Sequence, residues 1–230
     1  DTLVNMAKKV GITEKLQAIP SLPLGTNEIN IMEMAGGYSA FANLGYRVKP
    51  HLIKKIEDKN GNVLYEYKQE KTKVLDSSLC FILNNMLTAT YDADYIDYNY
   101  PTAIGIASRM THKYSLKSGT TSTDNWNIGF NPDVLTAVWV GYDDNTELKS
   151  SEYKYSQNIW LTSMEDYLKD KPDNWYEVPD NVSTVLVEPI SGKPASESDS
   201  KKKLMYFLKG TEPTDSDPVF DEKLNNSTAS

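Results

Sequence analysis

Apolar residues recur at helical spacing in four segments of the chain. Residues 2–10 carry an apolar face that ends at Gly11, and residues 28–44 are apolar around most of a helix circumference. Asp76 is placed to cap a third helix, and a last helix is expected at about 157–168. The apolar face of the third helix consists of Leu79, Ile82, Leu83, Met86 and Leu87. The pattern therefore predicts four helices, and the second of them is expected to be buried.

Strand patterns occupy the segments between these helices. Residues 52–56 and 63–67 are rich in β-favouring side chains and flank a turn sequence at 58–61, which predicts a hairpin. Three further strands are predicted, at 114–121, 126–130 and 134–142. The connections between them are short, which favours antiparallel neighbours. Helices beside an antiparallel sheet predict an α+β fold.

The composition changes after Pro172. The segment that follows holds five of the eleven prolines, one isolated strand at 184–187 and a polar low-complexity run at 196–203. We expect it to be a loosely structured appendage. The predicted division is a main body at 1–172, a small C-terminal extension at 173–213 and a disordered tail at 214–230.

Composition narrows the chemistry that the chain can perform. The 230 residues include one cysteine and two histidines, so a disulfide framework or a Cys/His zinc site cannot be assembled, and no metal or cofactor is predicted. The net charge of -8 opposes binding to nucleic acid and to anionic lipids. No window approaches the roughly 18 to 20 apolar residues that a membrane span needs. We expect the chain to be an excised piece of a longer protein, with any membrane anchor outside it.

The candidate chemistry lies in the segment Lys117-Ser118-Gly119-Thr120-Thr121, on the first of the three strands. Side chains alternate along a strand, so Ser118 and Thr120 point to one side and Lys117 to the other. Gly119 lets a substrate or another backbone come close. At a sheet edge, such a strand can dock an extended peptide and bind its terminal carboxylate with the two hydroxyls.

This segment and its surroundings resemble one enzyme family. The run LKSGTTSTDNWNIGFNPDVLTAVWVGYDD resembles the third active-site motif of penicillin-binding proteins, Lys-Thr/Ser-Gly followed by Thr-Thr. Residues 21–66 are similar to the helix and hairpin region of the bifunctional, class A type. Residues 157–168 and 207–214 are similar to the end of that transpeptidase domain and its C-terminal extension. The resemblance covers about residues 3–213.

The resemblance implies a fold and a reaction. The fold would be part of a serine β-lactamase/D,D-transpeptidase-like domain. A serine would attack the penultimate D-Ala carbonyl of a peptidoglycan stem peptide, release D-alanine and pass the acyl group to an amine of a neighbouring strand. β-Lactam antibiotics would acylate the same serine. The resemblance also implies a location on the outer face of a bacterial cell membrane and an upstream glycosyltransferase domain.

The resemblance also assigns roles to the motif residues. Lys117 would orient and polarise the proton-transfer network and is the predicted catalytic residue. Ser118 and Thr120 would hold the carboxylate of the substrate or of penicillin, and the Thr120 backbone N–H would supply half of an oxyanion hole. Gly119 and Thr121 complete the predicted substrate-binding set.

The chain departs from the family pattern at the nucleophile. The motifs Ser-x-x-Lys and Ser-x-Asn should precede Lys117, and neither occurs in residues 1–116. Two similar sequences, Ser151–Lys154 and Ser156–Asn158, come later, in a segment expected to be a solvated loop, and are not expected to be catalytic. The upstream part of the same protein, which would carry the nucleophile, is therefore a predicted partner of this chain.

Two other functions stay open. A β-lactamase-type hydrolase would be expected to carry a Glu-x-x-x-Asn element before Lys117, and no such spacing occurs there. A non-catalytic domain that binds penicillin or peptide would keep the carboxylate-binding strand without the nucleophile. The remaining candidates have ordinary explanations: His51 and His112 are expected to be structural or solvated, and Asp143-Asp144 is expected to form a turn.

Overall fold

A computed structural model describes residues 1–96, 99–189 and 191–214. Its α-helices are α1 (Thr2–Val10), α2 (Ile31–Ala42), α3 (Ser77–Met86), α4 (Ile104–Ala107) and α5 (Tyr155–Leu168). Its strands are β1 (Tyr46–Val48), β2 (Lys55–Glu57), β3 (Val63–Glu66), β4 (Lys71–Lys73), β5 (Ser115–Thr120), β6 (Asp124–Phe130), β7 (Leu135–Gly141), β8 (Val182–Val187) and β9 (Lys203–Leu208). Short 3-10 turns join several of these elements. The mixture confirms the predicted α+β class.

Local signals account for the helix boundaries. Gly11 ends α1 in the left-handed conformation, with φ of 107°, as glycine readily does. The side chain of Asn30 caps α2 by accepting from the Glu33 backbone N–H. Asp76 caps α3 by accepting from the backbone N–H groups of residues 78 and 79, as predicted. α2 is buried along its middle, whereas its first turn is exposed, so the predicted burial holds for only part of the helix.

The strands β5, β6 and β7 form an antiparallel sheet in that order, as the short connections predicted. α5 covers one face of this sheet. Its fully buried residues Trp160, Met164 and Leu168 pack with Tyr114 and Leu116 in a single core cluster. The other face meets the first half of the chain, where the rings of Tyr38 and Phe130 lie edge to face. The three-stranded sheet is therefore held between two sets of helices.

The predicted hairpin is confirmed as β2 and β3, which pair in antiparallel register. The Asp58 side chain organises the turn by accepting from the backbone N–H groups of Asn60 and Asn62 at 2.7 and 2.9 Å. A second small sheet joins β1 to β4.

The predicted apolar face of α3 is partly wrong. Leu79 is 54% exposed and Met86 is 65% exposed, whereas Cys80, Phe81 and Asn84 are buried. The physical reason is that several elements pack on the other side of the helix. Phe81 lies edge to face with Tyr206, and Asn84 donates to the backbone oxygen of Phe41 at 2.9 Å. Buried neighbours, rather than the apolar spacing, decide which side of α3 faces inward.

The predictions for the C-terminal segment also need correction. The strand at 184–187 is not isolated, because β8 pairs along its whole length with β9. The pair is attached to the main body rather than loosely arranged: Lys203 at the start of β9 forms ion pairs with Asp92 and with Asp94. The predicted tail lies outside the described residues apart from Thr214. None of the helices in the described ranges is long and apolar enough to cross a membrane.

Candidate active site

The motif segment lies on β5, at one end of the three-stranded sheet. In the described part of the chain β5 pairs only with β6, so its other edge is not covered by a strand. Lys117 is exposed, Ser118 is partly exposed and Thr120 is exposed. A ligand can therefore approach the motif along this edge.

The two faces of β5 carry different side chains. Leu116 packs into the core beneath α5, and strand alternation places Ser118 and Thr120 on that same side. Lys117 lies on the opposite side, and its ammonium group donates to the backbone oxygen of Ser118 at 2.6 Å. The structure thus brings two hydroxyls to one face of the strand and an ammonium group to the other.

A buried amide and a buried hydroxyl lie behind Thr120. The sheet register sets Thr120 opposite Asn125 on β6. Asn125 Nδ2 donates to Thr120 Oγ1 at 3.2 Å, and the hydroxyl of Ser156 on α5 donates to Asn125 Oδ1. The sequence pattern predicts no role for Asn125 at the site, and it identifies Ser156 only within the Ser156–Asn158 sequence that is not expected to be catalytic. A signal was available, because the short turn after Thr121 places residues 120 and 125 in cross-strand register.

Thr121 belongs to the turn that follows β5. Its hydroxyl accepts from the backbone N–H groups of Thr123 and Asp124 at 3.1 and 2.9 Å. The Asp124 carboxylate in turn accepts from Trp139 Nε1 at 2.6 Å. The Thr121 hydroxyl therefore stabilises the turn. Its assignment as a substrate-binding residue stays a prediction.

Packing within the sheet does not require glycine at position 119. A Cβ atom added to Gly119 would lie 3.4 Å from Trp126 Cβ, close to an ordinary contact distance. By contrast, a Cβ added to Gly129 would lie 2.4 Å from Trp160 Cζ2. Gly129 is therefore explained by the packing of α5 on the sheet, whereas packing gives no explanation for Gly119, and its assignment to the substrate-binding set stays a prediction.

The remaining candidate residues have structural roles. His112 is buried, with Nδ1 2.8 Å from the hydroxyl of Thr111 and Nε2 3.1 Å from the Lys171 backbone oxygen. Asp144 accepts from the Thr146 backbone N–H at 3.0 Å, which is the predicted turn. In the ranges that the structure describes, no three His, Cys, Asp or Glu side chains are grouped as metal ligands.

The single thiol is not a nucleophile. Burial, with the nearby charge of Asp76, raises the pKa of the Cys80 thiol to about 11, and the group therefore stays protonated near neutral pH. Of the two later sequences that imitate catalytic motifs, Ser151–Lys154 lies in an exposed turn as expected, whereas Ser156–Asn158 does not. Ser156 is fully buried on α5 rather than in a solvated loop, and Asn158 accepts from Arg109 at 2.6 Å.

Two family models match the chain. The model for the penicillin-binding protein transpeptidase domain matches residues 6–165, and the model for the C-terminal domain of penicillin-binding protein 1A matches residues 178–222. Penicillin-binding protein 2D of Bacillus subtilis is 42% identical over 92% of this chain and 31% of its own length. Penicillin-binding protein 1A of Aquifex aeolicus is 33% identical over 93% of this chain and 28% of its own length. The chain thus spans less than a third of the length of these relatives.

Solved structures show the same fold. The crystal structure of penicillin-binding protein 1A from Haemophilus influenzae matches with a TM-score of 0.79 at 26% identity, over 90% of this chain and 36% of that one. The PonA1 protein from Mycobacterium tuberculosis, solved in complex with penicillin V, matches with a TM-score of 0.61 at 20% identity, over 76% of this chain and 52% of that one. At that identity the second match concerns the fold alone.

Proposed function

Because the chain belongs to the penicillin-binding protein transpeptidase family, we propose that it is the part of a peptidoglycan D,D-transpeptidase that holds the donor peptide. The observation that carries this proposal is the arrangement on β5. Ser118 and Thr120 lie on one face of a strand whose edge is open, next to Lys117. Two hydroxyls on one face of the strand can both donate to a peptide carboxylate, and the Lys117 ammonium group on the other face adds positive charge nearby.

In the proposed reaction, a serine from the preceding part of the protein attacks the carbonyl carbon of the D-Ala–D-Ala bond. The serine Oγ–C bond forms, the C–N bond breaks, and the serine proton passes to the departing D-alanine amine. An amine of a neighbouring stem peptide then takes the acyl group and restores the serine hydroxyl. β-Lactams acylate the same serine.

The described side chains contribute to binding and to charge stabilisation. We assign the carboxylate of the donor peptide to the hydroxyls of Ser118 and Thr120. The backbone N–H of Thr120 stabilises the oxyanion that develops on the attacked carbonyl. Lys117 supplies positive charge beside the proton-transfer path, and its bond to the Ser118 backbone oxygen keeps it at the strand. Gly119 leaves room for the peptide backbone.

The proposal extends to the longer protein. We place it at the outer face of a bacterial cell membrane, with peptidoglycan stem peptides and β-lactams as its ligands and a peptidoglycan glycosyltransferase domain in the same polypeptide. The nucleophile would be supplied by the part of the polypeptide that precedes this chain, because residues 1–116 contain no Ser-x-x-Lys sequence.

Covalent labelling tests the proposal. The complete protein and the 230-residue chain are each incubated with penicillin, and their intact masses are measured. We expect one adduct on the complete protein and none on the chain, since an isolated hydroxyl without a paired base is a weak nucleophile. Absence of an adduct on the complete protein, or a stoichiometric adduct on residues 1–230, contradicts the proposed mechanism.

A second assay distinguishes the alternatives. A transpeptidase releases D-alanine from a D-Ala–D-Ala peptide and keeps its penicilloyl adduct for a long time. A β-lactamase-type hydrolase would turn over penicillin rapidly, and a binding domain would form no adduct at all.

A further inference from the structure

A buried polar pair lies behind the exposed hydroxyl of Thr120. Asn125 is 5% exposed, and its amide nitrogen donates to Thr120 Oγ1 at 3.2 Å. Ser156 is fully buried in the first turn of α5 and donates its hydroxyl to Asn125 Oδ1. We propose that Asn125, held by Ser156, is a positioning residue that sets the direction in which the Thr120 hydroxyl donates its proton.

The Thr120 hydroxyl has a limited capacity for hydrogen bonds. A threonine hydroxyl has one proton to donate and two lone pairs that accept. Since Asn125 Nδ2 donates to Thr120, the threonine oxygen is the acceptor in this bond and its proton stays available. Thr120 is exposed, so the free proton is directed towards a ligand at the open edge. A hydroxyl that already accepts a hydrogen bond is also a stronger donor.

The orientation of the amide decides the outcome. If the Asn125 amide were rotated by half a turn, Oδ1 would face Thr120 and accept its proton, and the hydroxyl would no longer donate to a carboxylate. The hydroxyl of Ser156 occupies Oδ1 on the inner side. In the arrangement that the structure shows, the Asn125 nitrogen therefore points to Thr120.

Packing alone does not account for an asparagine at this position. In the same cross-strand row, β7 places the apolar residue Val140 opposite Asn125. A buried amide is more costly to desolvate than a valine, and only its hydrogen bonds offset that cost. One hydrogen bond of the Asn125 amide is donated to Thr120 in the motif, and the other, accepted from Ser156, holds the amide in place. We therefore infer a role in ligand binding.

Asn127 offers a matched control on the same strand. It lies two residues along β6, opposite Ser118, and it is fully buried. Among the described residues its amide has no hydrogen-bond partner. Replacement by leucine therefore removes a buried amide of the same size without breaking a bond to the motif.

The inference rests on the proposed function, so the test uses the complete protein. The rate of acylation is measured with a penicillin and with its carboxylate methyl ester, and the acid-to-ester ratio is the readout. Asn125→Leu is expected to lower this ratio by about 3- to 10-fold, the effect of losing one well-directed hydrogen bond. Asn127→Leu is expected to keep the wild-type ratio. Thermal melting of each variant checks that the fold is retained.

A double-mutant cycle separates positioning from a general structural effect. If Asn125 acts through Thr120, Asn125→Leu will not change the ratio further in a Thr120→Val background. An unchanged ratio in Asn125→Leu, or an equal loss in both backgrounds, overturns the inference. Should Asn125→Leu fail to fold, Ser156→Ala replaces it, with an expected loss of about 2- to 3-fold, and a wild-type ratio in Ser156→Ala overturns the inference.

The outcomes also distinguish the two proposals. If the wild type forms no adduct, or does not prefer the acid to the ester, the proposed function is wrong and this inference falls with it. If the wild type prefers the acid, and Thr120→Val loses that preference while Asn125→Leu keeps it, only the inference about Asn125 is wrong.

Discussion

Two glycines in the three-stranded sheet are expected to respond differently to replacement by alanine. At Gly129, an added Cβ would lie 2.4 Å from Trp160 Cζ2 and 2.7 Å from Leu116 Cδ1. Trp160 is fully buried and Leu116 is 1% exposed, so neither has free space into which it can move. At Gly119, the nearest side-chain atom to an added Cβ would be Trp126 Cβ at 3.4 Å. We therefore predict a loss of stability from Gly129→Ala and little change from Gly119→Ala.

Three contributions determine how much Gly129→Ala lowers the free energy of unfolding. Overpacking at Gly129 costs about 1 to 3 kcal/mol. Moving Trp160 also breaks its 3.3 Å hydrogen bond to the Gly129 backbone oxygen, a loss of about 1 kcal/mol. The stiffer unfolded chain returns about 0.4 to 1 kcal/mol. The free energy of unfolding should fall by about 2 kcal/mol, which lowers Tm by about 4 to 8 °C in a domain of this size.

Thermal unfolding and acylation are measured together on both variants. Gly119→Ala should change the free energy of unfolding by no more than about 0.5 kcal/mol. It should nevertheless slow acylation by fluorescent penicillin by about 10- to 100-fold, because a new methyl group displaces the ligand. An unchanged Tm in Gly129→Ala refutes the packing argument. A wild-type acylation rate in Gly119→Ala shows that no ligand backbone approaches this residue.

Three further predictions concern the motif and the C-terminal strands. Lys117→Ala in the complete protein should slow acylation by roughly two to four orders of magnitude with an unchanged melting curve, and a loss of less than about threefold removes Lys117 from the mechanism. Ser118→Thr should leave the acylation rate nearly unchanged because it keeps a hydroxyl, whereas Ser118→Ala should slow acylation by the equivalent of about 1 to 3 kcal/mol of transition-state binding. Equal acylation rates for the two variants contradict the carboxylate assignment. Lys203→Met should lower Tm slightly, and the difference from wild type should be pH-dependent. The pKa of Asp94 is lowered by a hydrogen bond from Lys203 and then by the charge of Lys203. Burial alone would lower the pKa of Lys203, but the hydrogen bonds from Lys203 to Asp92 and Asp94 outweigh burial and raise it. Both groups therefore contribute fully to the stability between pH 3.8 and pH 10.5, the ordinary pKa values of Asp94 and Lys203. The contribution of Asp94 is lost below this window and that of Lys203 above it. A difference in Tm that does not vary with pH contradicts this ion-pair account.

The elements that local signals specify were predictable from the sequence. Gly11 and Asp76 mark helix ends through their own backbone and side-chain chemistry, and the turn at Asp58 is closed by the aspartate itself. The three-stranded sheet followed from two short connections. Each of these features is decided by residues close together in the chain, which is why a sequence pattern was sufficient.

The features that depend on distant residues were not predictable in the same way. The inward side of α3 is decided partly by Tyr206, which lies more than a hundred residues further along the chain. The partner of β8 could not be identified either, because β9 begins within a lysine-rich run. At the candidate site, the motif was recognisable as a short pattern. By contrast, the contact from Ser156 to Asn125 could not be predicted, because it depends on how α5 packs on the sheet.

One helix links the core to the open edge of the sheet. Trp160 occupies the space that Gly129 leaves on β6, which fixes how closely α5 approaches the sheet. Ser156 lies four residues earlier and therefore on the same side of the helix, where it meets Asn125. Asn125 also precedes Gly129 by four residues, so both contacts fall on one face of β6. A change that displaces Trp160 should consequently also weaken the contact between Ser156 and Asn125. For this reason the packing of the sheet and the direction of the Thr120 hydroxyl cannot vary independently.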